Sequence, residues 1–412
     1  MKSAVGFAEY LYLILSFQSM HLNYGEKMKL ALSASFCAPF MICCASTLAQ
    51  SIDGVLDEDL YGNPKFAQVV HTGFGNSSDG ANSYANGSEL NSGFVRVDST
   101  SGHLYVFLSG NLESNFNKLD IFIDSVAGEG QNELRSDNPD IDFNGLNKMG
   151  RGTALDAQGN PLLDSEGNPI IYAGLKFDTV FAADFCLMTT IGGSGSATDP
   201  LTQYANISQI LTNGGGVGAY IGNGSFSGPT ATNLLDDVVY GCQLSLNNSN
   251  VAGVSGDSNN PGSGCGVLTG IEMKIPLSLL SWDGSSDIKI CAFINGQNHD
   301  YVSNQVAGSL PPSTGNLGGD GVGGYLGGSV GALRGINFSA IEGDQFFSVF
   351  GQDACGFCFG DLDGSTEVDS GDVSLVLLET GPCAGCPADL DGSGEVDSGD
   401  VSLVLLSTGS CQ

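Results

Sequence analysis

Near the C-terminus, oxygen-bearing side chains recur at fixed intervals. Asp361, Asp363, Ser365, Glu367, Asp369 and Asp372 stand at positions 1, 3, 5, 7, 9 and 12 of a loop-sized window, and Asp389, Asp391, Ser393, Glu395, Asp397 and Asp400 repeat the series. This spacing suits calcium, a hard cation that takes roughly six to eight oxygens from carboxylates, from the backbone carbonyl at position 7 and, at position 9, often through a water. Position 12 is Asp in both windows rather than the longer Glu, and position 6 is Thr366 in the first and Gly394 in the second, so the first loop is expected to bind less tightly. A solvated acidic face is the bland alternative. Against it, no Lys, Arg or His follows Asp353, so these acids would repel one another without a cation between them.

The elements that would position the acids repeat too. Residues 355–382 and 383–410 align at a period of 28 without a gap, and Cys411 falls where a third copy would begin. After each loop, Val373, Val376 and Leu377, and again Val401, Val404 and Leu405, stand at i, i+3 and i+4 before Gly381 and Gly409 at helix-stop positions. Two short amphipathic helices packed on each other are expected. Val368 and Val396, at position 8, are expected in a short strand joining the two loops back to back.

Two CxxC pairs, Cys355 with Cys358 and Cys383 with Cys386, allow a rival reading as four zinc thiolates. The segment between them is long for a zinc site and is filled by a calcium loop. Repeat symmetry suggests instead that Cys358 pairs with Cys383 and Cys386 with Cys411, each bond clamping one loop–helix unit and leaving Cys355 over.

This arrangement resembles a type I dockerin: Asp at position 12, and a single helix after each loop with none before it. The resemblance covers about an eighth of the chain. It implies docking to a cohesin on another protein, with Ser370, Gly371, Ser398 and Gly399, just inside the two helices, as the contact positions. Leu375, Val376, Leu377 and Leu378 stand where dockerin helices often carry basic residues on the cohesin-facing side, which implies an unusual partner.

The N-terminus points to export. Lys27 and Lys29 precede an apolar run from Leu30 to Leu48 that ends in small residues at Ala49, the order of a secretory signal peptide, with Met28 as the expected start. The run is interrupted by Pro39 and followed at once by Gln50 and Ser51, so a permanent membrane span is not expected. Phe40-Met41-Ile42 before Cys43 lacks the small residues of a lipid-modified cysteine. Removing the leader leaves Cys186, Cys242, Cys265 and Cys291 in the body, for which disulfides are the default in an oxidising compartment. A secreted, extracellular or cell-surface protein is expected.

Composition agrees with that setting. The chain of 412 residues carries 45 Asp and Glu against 13 Lys and Arg, a formal net charge of −32 that excludes nucleic acid as a partner and favours divalent cations. Its 61 glycines, with apolar residues alternating between turn signals, predict short strands and few long helices. The expected class is mainly β: a β-sandwich, jelly-roll-like body over 50–352, after a leader at 1–49 and before the helical repeat at 353–412.

Within the body, Ile52-Asp53-Gly54-Val55-Leu56-Asp57-Glu58 is followed by the strands Leu104-Tyr105-Val106-Phe107-Leu108 and Leu119-Asp120-Ile121-Phe122-Ile123-Asp124. This series resembles the front half of family-nine-like carbohydrate-binding and DOMON-type sandwiches. The resemblance implies a sandwich and, more weakly, polysaccharide binding; such modules grip sugars with tryptophans, and the one tryptophan here, Trp282, lies far from the matching segment. Tyr105, Phe107, Phe122 and Trp282 read as core. Residues 136–147 concentrate carboxylates and amides and read as a polar turn cluster, with a further calcium site as the alternative. The turns at Asp156–Pro161 and Asp164–Pro169 repeat at a spacing of eight and predict a surface hairpin insertion. Residues 312–335 read as a glycine-rich loop, and Phe346, Phe347, Val349 and Phe350 as a last strand.

Catalytic signatures are lacking. There is no GxSxG or HExxH, and His71, His103 and His299 show no ligand spacing and read as ordinary surface side chains. Glu342 and Asp344 are the nearest approach to a compact acidic pair late in the body. A non-catalytic protein that docks through calcium-ordered helices is expected. A divergent polysaccharide-active enzyme and a surface or matrix structural protein are the alternatives.

Overall fold

The computed structural model describes residues 50–70, 88–154, 156, 158–194, 196, 198–226, 232–250, 254, 263–299, 301–312, 314–319, 336–354, 360, 362, 367–383, 386, 388–390 and 393–410. All belong to one unit, Gln50–Gln412. The expected leader, His71 and most of the glycine-rich loop lie outside the described residues.

The chain is mainly β, and every ladder among the described residues is antiparallel. After helix α1 (Glu58–Tyr61), one sheet takes up β1 (Phe66–Ala67), β2 (Glu89–Asp98) and β3 (His103–Asn111), and the chain passes to β4 (Lys118–Asp124) in a second. Helix α2 (Gly145–Lys148) and the hairpin of β5 (Gly152–Thr153) and β6 (Ile171–Tyr172) lie between β4 and β7 (Phe185–Gly192). There follow β8 (Thr202–Gln209), β9 (Gly218–Ser225), β10 (Thr232–Asp236), β11 (Gln243–Asn247), β12 (Gly270–Pro276), β13 (Lys289–Asn295), β14 (Tyr301–Val306), β15 (Gly318–Gly319) and β16 (Phe347–Ser348). The first sheet runs β1-β2-β3-β12-β11-β10. The second runs β15-β14-β13-β4-β7-β8-β9, with β16 also paired to β13.

Side-chain alternation explains how the sheets meet. Leu104, Val106 and Leu108 of β3 and Met273 of β12 share one core with Leu119, Ile121 and Ile123 of β4 and Ile290, Ala292 and Ile294 of β13. Two antiparallel sheets facing each other across a common core accord with the sandwich expected from the strand pattern. The opening segment then covers the far face of the first sheet, with Ile52, Leu56 and Tyr61 against Phe94, Tyr105 and Phe107. Glu272 ties it down, accepting from the N–H groups of Asp53 (2.9 Å) and Gly54 (3.1 Å) and from the Tyr61 hydroxyl (3.1 Å).

The central strands of the second sheet, β4, β7 and β13, are buried on both faces. The even-numbered β4 residue Phe122 joins Cys186, Cys291 and Phe293 in another core, closed by Leu134, Ile141, Leu146, Met149, Phe177, Phe181 and Phe338. Antiparallel sheets often leave one face to water; here residues 131–183 cover it. Tyr105, Phe107 and Phe122 are core, as expected, and Trp282 is partly buried. The paired turns close as expected too: Asp156 accepts from the N–H groups of Gln158 and Asn160, and Asp164 from those of Glu166 and Asn168. The last strand of the body is short, Phe347 and Ser348 alone pairing with β13.

Cys186, Cys242 and Cys291 are buried free thiols, which corrects the expectation of disulfides. Each lies in a packed core with no described cysteine as a bonded partner, and burial pushes all three thiols well up, that of Cys242 to about 12. Cys265 is disulfide-bonded.

Beyond residue 366 come β17 (Glu367–Val368), helix α3 (Ser370–Leu378), β18 (Gly381–Pro382), β19 (Glu395–Val396), helix α4 (Ser398–Leu406) and β20 (Gly409–Ser410). Val368 and Val396 do not pair with each other, contrary to expectation. β17 pairs with β20 and β18 with β19, so each copy's position-8 strand is completed by the residues after the other copy's helix. Val376 and Val404 are buried with Val368 and Val396, with Val373 and Val401 packed against them. Leu377 and Leu405 turn outward instead, 58% and 54% exposed, because helices this short bury only a narrow stripe. Among the described residues no helix is long and apolar enough to cross a membrane.

Candidate functional site

The tail builds its loops around two fully buried carboxylates. Asp400, at position 12 of the second loop, accepts from the N–H groups of Leu390 (2.7 Å) and Asp397 (2.8 Å). Asp372 does the same in the first, accepting from Leu362 (2.6 Å) and Asp369 (2.8 Å). Asp369 and Asp397, at position 9, cap the helices: each accepts from the N–H two residues on (2.6 Å), and each forms a reciprocal capping box with its position-12 Asp. One acidic residue thus folds its loop onto the start of its helix, where the helix dipole favours negative charge.

The second loop carries the clearest sign of an unmet demand. Gly394 at position 6 has φ +86, a conformation side chains rarely adopt, and its N–H donates to Asp389 Oδ2 (2.9 Å). Asp389 Oδ1 is buried and has no hydrogen-bond partner. A buried acceptor left in that condition costs about 1–3 kcal/mol, and a cation would satisfy it. At position 5 the Ser393 hydroxyl donates to the carbonyl of Glu395 at position 7 (2.9 Å), which brings two more oxygens of the series together. The oxygen-only set fits calcium. Asp361, Asp363, Ser365 and Asp391 lie outside the described residues, and of Glu367 only the backbone is described.

Of the positions implied to contact a partner, Ser370 and Ser398 are exposed, and Gly371 and Gly399 follow them in the first helical turns. Leu378 and Leu406, 81% and 83% exposed, stand beside Leu377 and Leu405.

Cys383 is bonded to Cys386, not to Cys358, and Cys386 is therefore not bonded to Cys411. Repeat symmetry counts the ends of each unit, whereas the intervening turn brings these two Cα atoms to 5.7 Å, a normal span for a disulfide. Cys358 and Cys411 themselves lie outside the described residues. Glu379, Cys383 and Cys386 form the one cluster of possible metal ligands among the described residues, but bonded sulfurs are not thiolates and cannot serve zinc in this state.

A second constellation lies on the body. Cross-strand register aligns Lys118, Thr190 and Tyr204 in one row and Asp120, Met188, Asn206 and Tyr220 in the next, on the face of the second sheet away from the sandwich core. Where the covering layer ends, these rows floor a cleft of about 520 Å³ lined by Phe116, Lys118, Asp142, Phe143, Thr190, Tyr204, Asn206 and Tyr220. Asp142 closes one side. Its carboxylate meets Lys118 Nζ at 3.0 Å and His299 Nε2 at 2.7 Å, and His299 Nδ1 lies 3.6 Å from Asp120.

His299 is 2% exposed, so it is not the surface side chain expected from its lack of spacing. Burial would lower its pKa, but Asp120 and Asp142 outweigh burial and raise it. For Asp142, burial works upward while the bond and charge of His299, with Lys118, bring its pKa down to about 2. Its partners are far away in the chain, so no motif announces the cluster. Within 136–147 the Asn147 side chain donates to the Asn138 carbonyl and to Asn144 Oδ1 and accepts from the Asn138 N–H, forming a polar turn cluster as expected. Glu342 and Asp344 lie exposed in a turn.

Comparison of the whole chain with protein-family models, with curated proteins and with solved structures finds no match.

Proposed function

We propose that the protein is an exported, non-catalytic component in which a β-sandwich body carries a tandem calcium-binding module. The module binds two calcium ions and docks, in that ordered state, to a cohesin-like domain of another protein. The observation that carries the reading is the partnerless buried Oδ1 of Asp389, in a loop whose position-6 glycine makes the sharp left-handed turn of a calcium loop and whose position-12 carboxylate is buried at the start of the helix. Asp361, Asp363, Ser365, Glu367, Asp369 and Asp372 would hold one ion and Asp389, Asp391, Ser393, Glu395, Asp397 and Asp400 the other. Bound calcium supplies the positive charge that this segment lacks.

The chain's own residues do the rest. Asp369 and Asp397 fix the first turns of α3 and α4, where Ser370, Gly371, Ser398 and Gly399 stand. The exposed Leu377, Leu378, Leu405 and Leu406 continue the two helix surfaces and give the module an apolar margin suited to a protein partner. Duplication of the surface in both copies supports docking in either of two orientations.

Calorimetric titration of the full chain with calcium tests the reading, beside the double variant Asp361→Ala, Asp389→Ala. Two sites in the parent and none in the variant are expected, with cohesin binding that disappears in chelator. Absence of calcium binding by the parent discards the proposal.

A further inference from the structure

We propose that the Cys383–Cys386 disulfide is a redox gate on the second calcium loop. Closed, it holds the loop in the shape that takes the ion; opened by a dithiol, it releases that hold. The gate rests on the reading of residues 389–400 as a calcium loop and adds the regulation of that site.

The bond meets the loop at two points. Cys383 follows β18, and its N–H donates to the Gly394 carbonyl (2.9 Å), which extends the ladder of Gly381 with Val396 and Pro382 with Glu395. Cys386 accepts at its own carbonyl from the N–H of Asp389 (3.0 Å). One cysteine is thus tied to position 6, beside the position-7 residue whose carbonyl serves a calcium ion, and the other to position 1, which carries the buried Oδ1 without a partner. The Gly394 N–H donates in turn to Asp389 Oδ2 (2.9 Å). Loop and disulfide therefore form a closed circuit, in which the sulfur–sulfur bond is the covalent link and three hydrogen bonds are the others.

Placement separates this bond from one that holds the module together. Its sequence separation is 3, and a bridge that short restrains the unfolded chain less than a long one. Val368, Val376, Ala388, Val396 and Val404 make the buried core of the tail, and the two cysteines pack against it from its margin, each partly exposed. Accessible disulfides are the ones that thiols reach and open, whereas Cys186, Cys242 and Cys291 are buried in the body. Reduction removes the cross-link from the loop and leaves the aliphatic core in place.

The reaction needs a dithiol and nothing else. A thiolate of the reductant attacks one sulfur, and the other cysteine leaves as a thiolate and takes up a proton. The reductant's second thiol then attacks the mixed disulfide, so the dithiol ends as a disulfide and the chain gains two hydrogens as two thiols. Linkage fixes the converse: by whatever factor opening the bond weakens calcium, calcium shifts the exchange toward the closed bond.

Calcium calorimetry on the full chain tests the gate in Asp361→Ala, where the second loop is read by itself. Oxidised Asp361→Ala is compared with the same protein after dithiothreitol, and with oxidised Asp361→Ala that also carries Cys383→Ser and Cys386→Ser, which opens this bond alone. Both treatments should weaken the site about tenfold. Asp389→Ala reads the first loop, whose affinity should be the same with and without the two serines, which shows the module still folded. In a buffer of reduced and oxidised dithiothreitol, calcium should protect the Cys383–Cys386 bond by the same factor, read by alkylation and peptide mapping. Equal affinity of the oxidised and serine forms, equal weakening of both loops, or reduction indifferent to calcium would overturn the gate and leave the calcium loops standing. A second loop that binds no calcium even in the oxidised chain overturns the calcium reading there, and the gate with it.

Discussion

Asp142 Oδ2 lies 2.7 Å from Nε2 of His299, a contact that spans 157 residues of sequence and is buried at both ends. Removing Asp142 leaves His299 with Asp120 but Lys118 buried without a carboxylate partner, and the loss of one member of a buried pair typically costs about 3–5 kcal/mol. Asp142→Ala is therefore expected to destabilise the body by about that amount in urea denaturation. Asp137→Ala, which breaks the exposed pair with Arg135, should leave the midpoint where it was.

The same pair sets a pH dependence. The pKa of His299 is raised in the fold, so its contribution is complete below the ordinary imidazole value and is lost as pH rises through the raised one. The pKa of Asp142 is depressed to about 2, so its contribution is present above the ordinary carboxylate value and is lost as pH falls toward 2. Burial raises Asp184 to about 6, which also costs stability as pH rises toward that value. Melting in calcium-free buffer should be higher at pH 5 than at pH 8, and His299→Gln should flatten the upper part of the curve. Equal melting points of the parent at the two values would contradict this.

In the tail, the two helices have unequal faces. Val404 is fully buried and Leu406 is 83% exposed. By the usual ~0.8 kcal/mol per buried methyl-sized group, Val404→Ala should destabilise the module by about 2 kcal/mol. Leu406→Ala should not change stability. Calcium-dependent melting of the module, followed by a probe in the tail, reads both.

Gly394 has open space where a Cβ would stand, so the effect of Gly394→Ala comes from φ +86 alone. A cost of about 1–2 kcal/mol is expected, appearing as a roughly tenfold weaker second calcium site in calorimetry. An unchanged affinity would show that the left-handed turn is not needed for binding.

Cys186, Cys242 and Cys291 should resist alkylation in the native protein at pH 8, since burial keeps their thiols protonated. Peptide mapping after iodoacetamide treatment with and without denaturant checks this. Native labelling at any of the three would place it outside the packed core.

Much of the fold was legible because its signals are local. Strand alternation, the Asx turns at Asp156 and Asp164 and the repeat at a period of 28 all lie within a few residues to a few tens of residues of one another. The spacing of the loop acids is local in the same way. His299 was not legible: its partners Asp120 and Asp142 come from β4 and from a covering loop, and a lone histidine carries no spacing to read. Nor was the burial of the second sheet's central strands on both faces, although Lys289–Asn295 is nearly continuous apolar sequence, because such a run looks the same whether one face or two are covered. The outward turn of Leu377 and Leu405 was missed for a related reason. Periodicity identifies a stripe without fixing how wide a stripe the neighbour covers.

The crossed pairing of β17 with β20 and of β18 with β19 makes the two repeats mutually dependent. A single copy would expose an open strand edge and half a core, so neither is a self-sufficient ancestor of the other in its present form. The reciprocity also has an intermolecular counterpart. Two chains, each lending one repeat to the other, could form the same contacts, so concentration and the connection between α3 and α4 together decide whether the module closes on itself or between molecules.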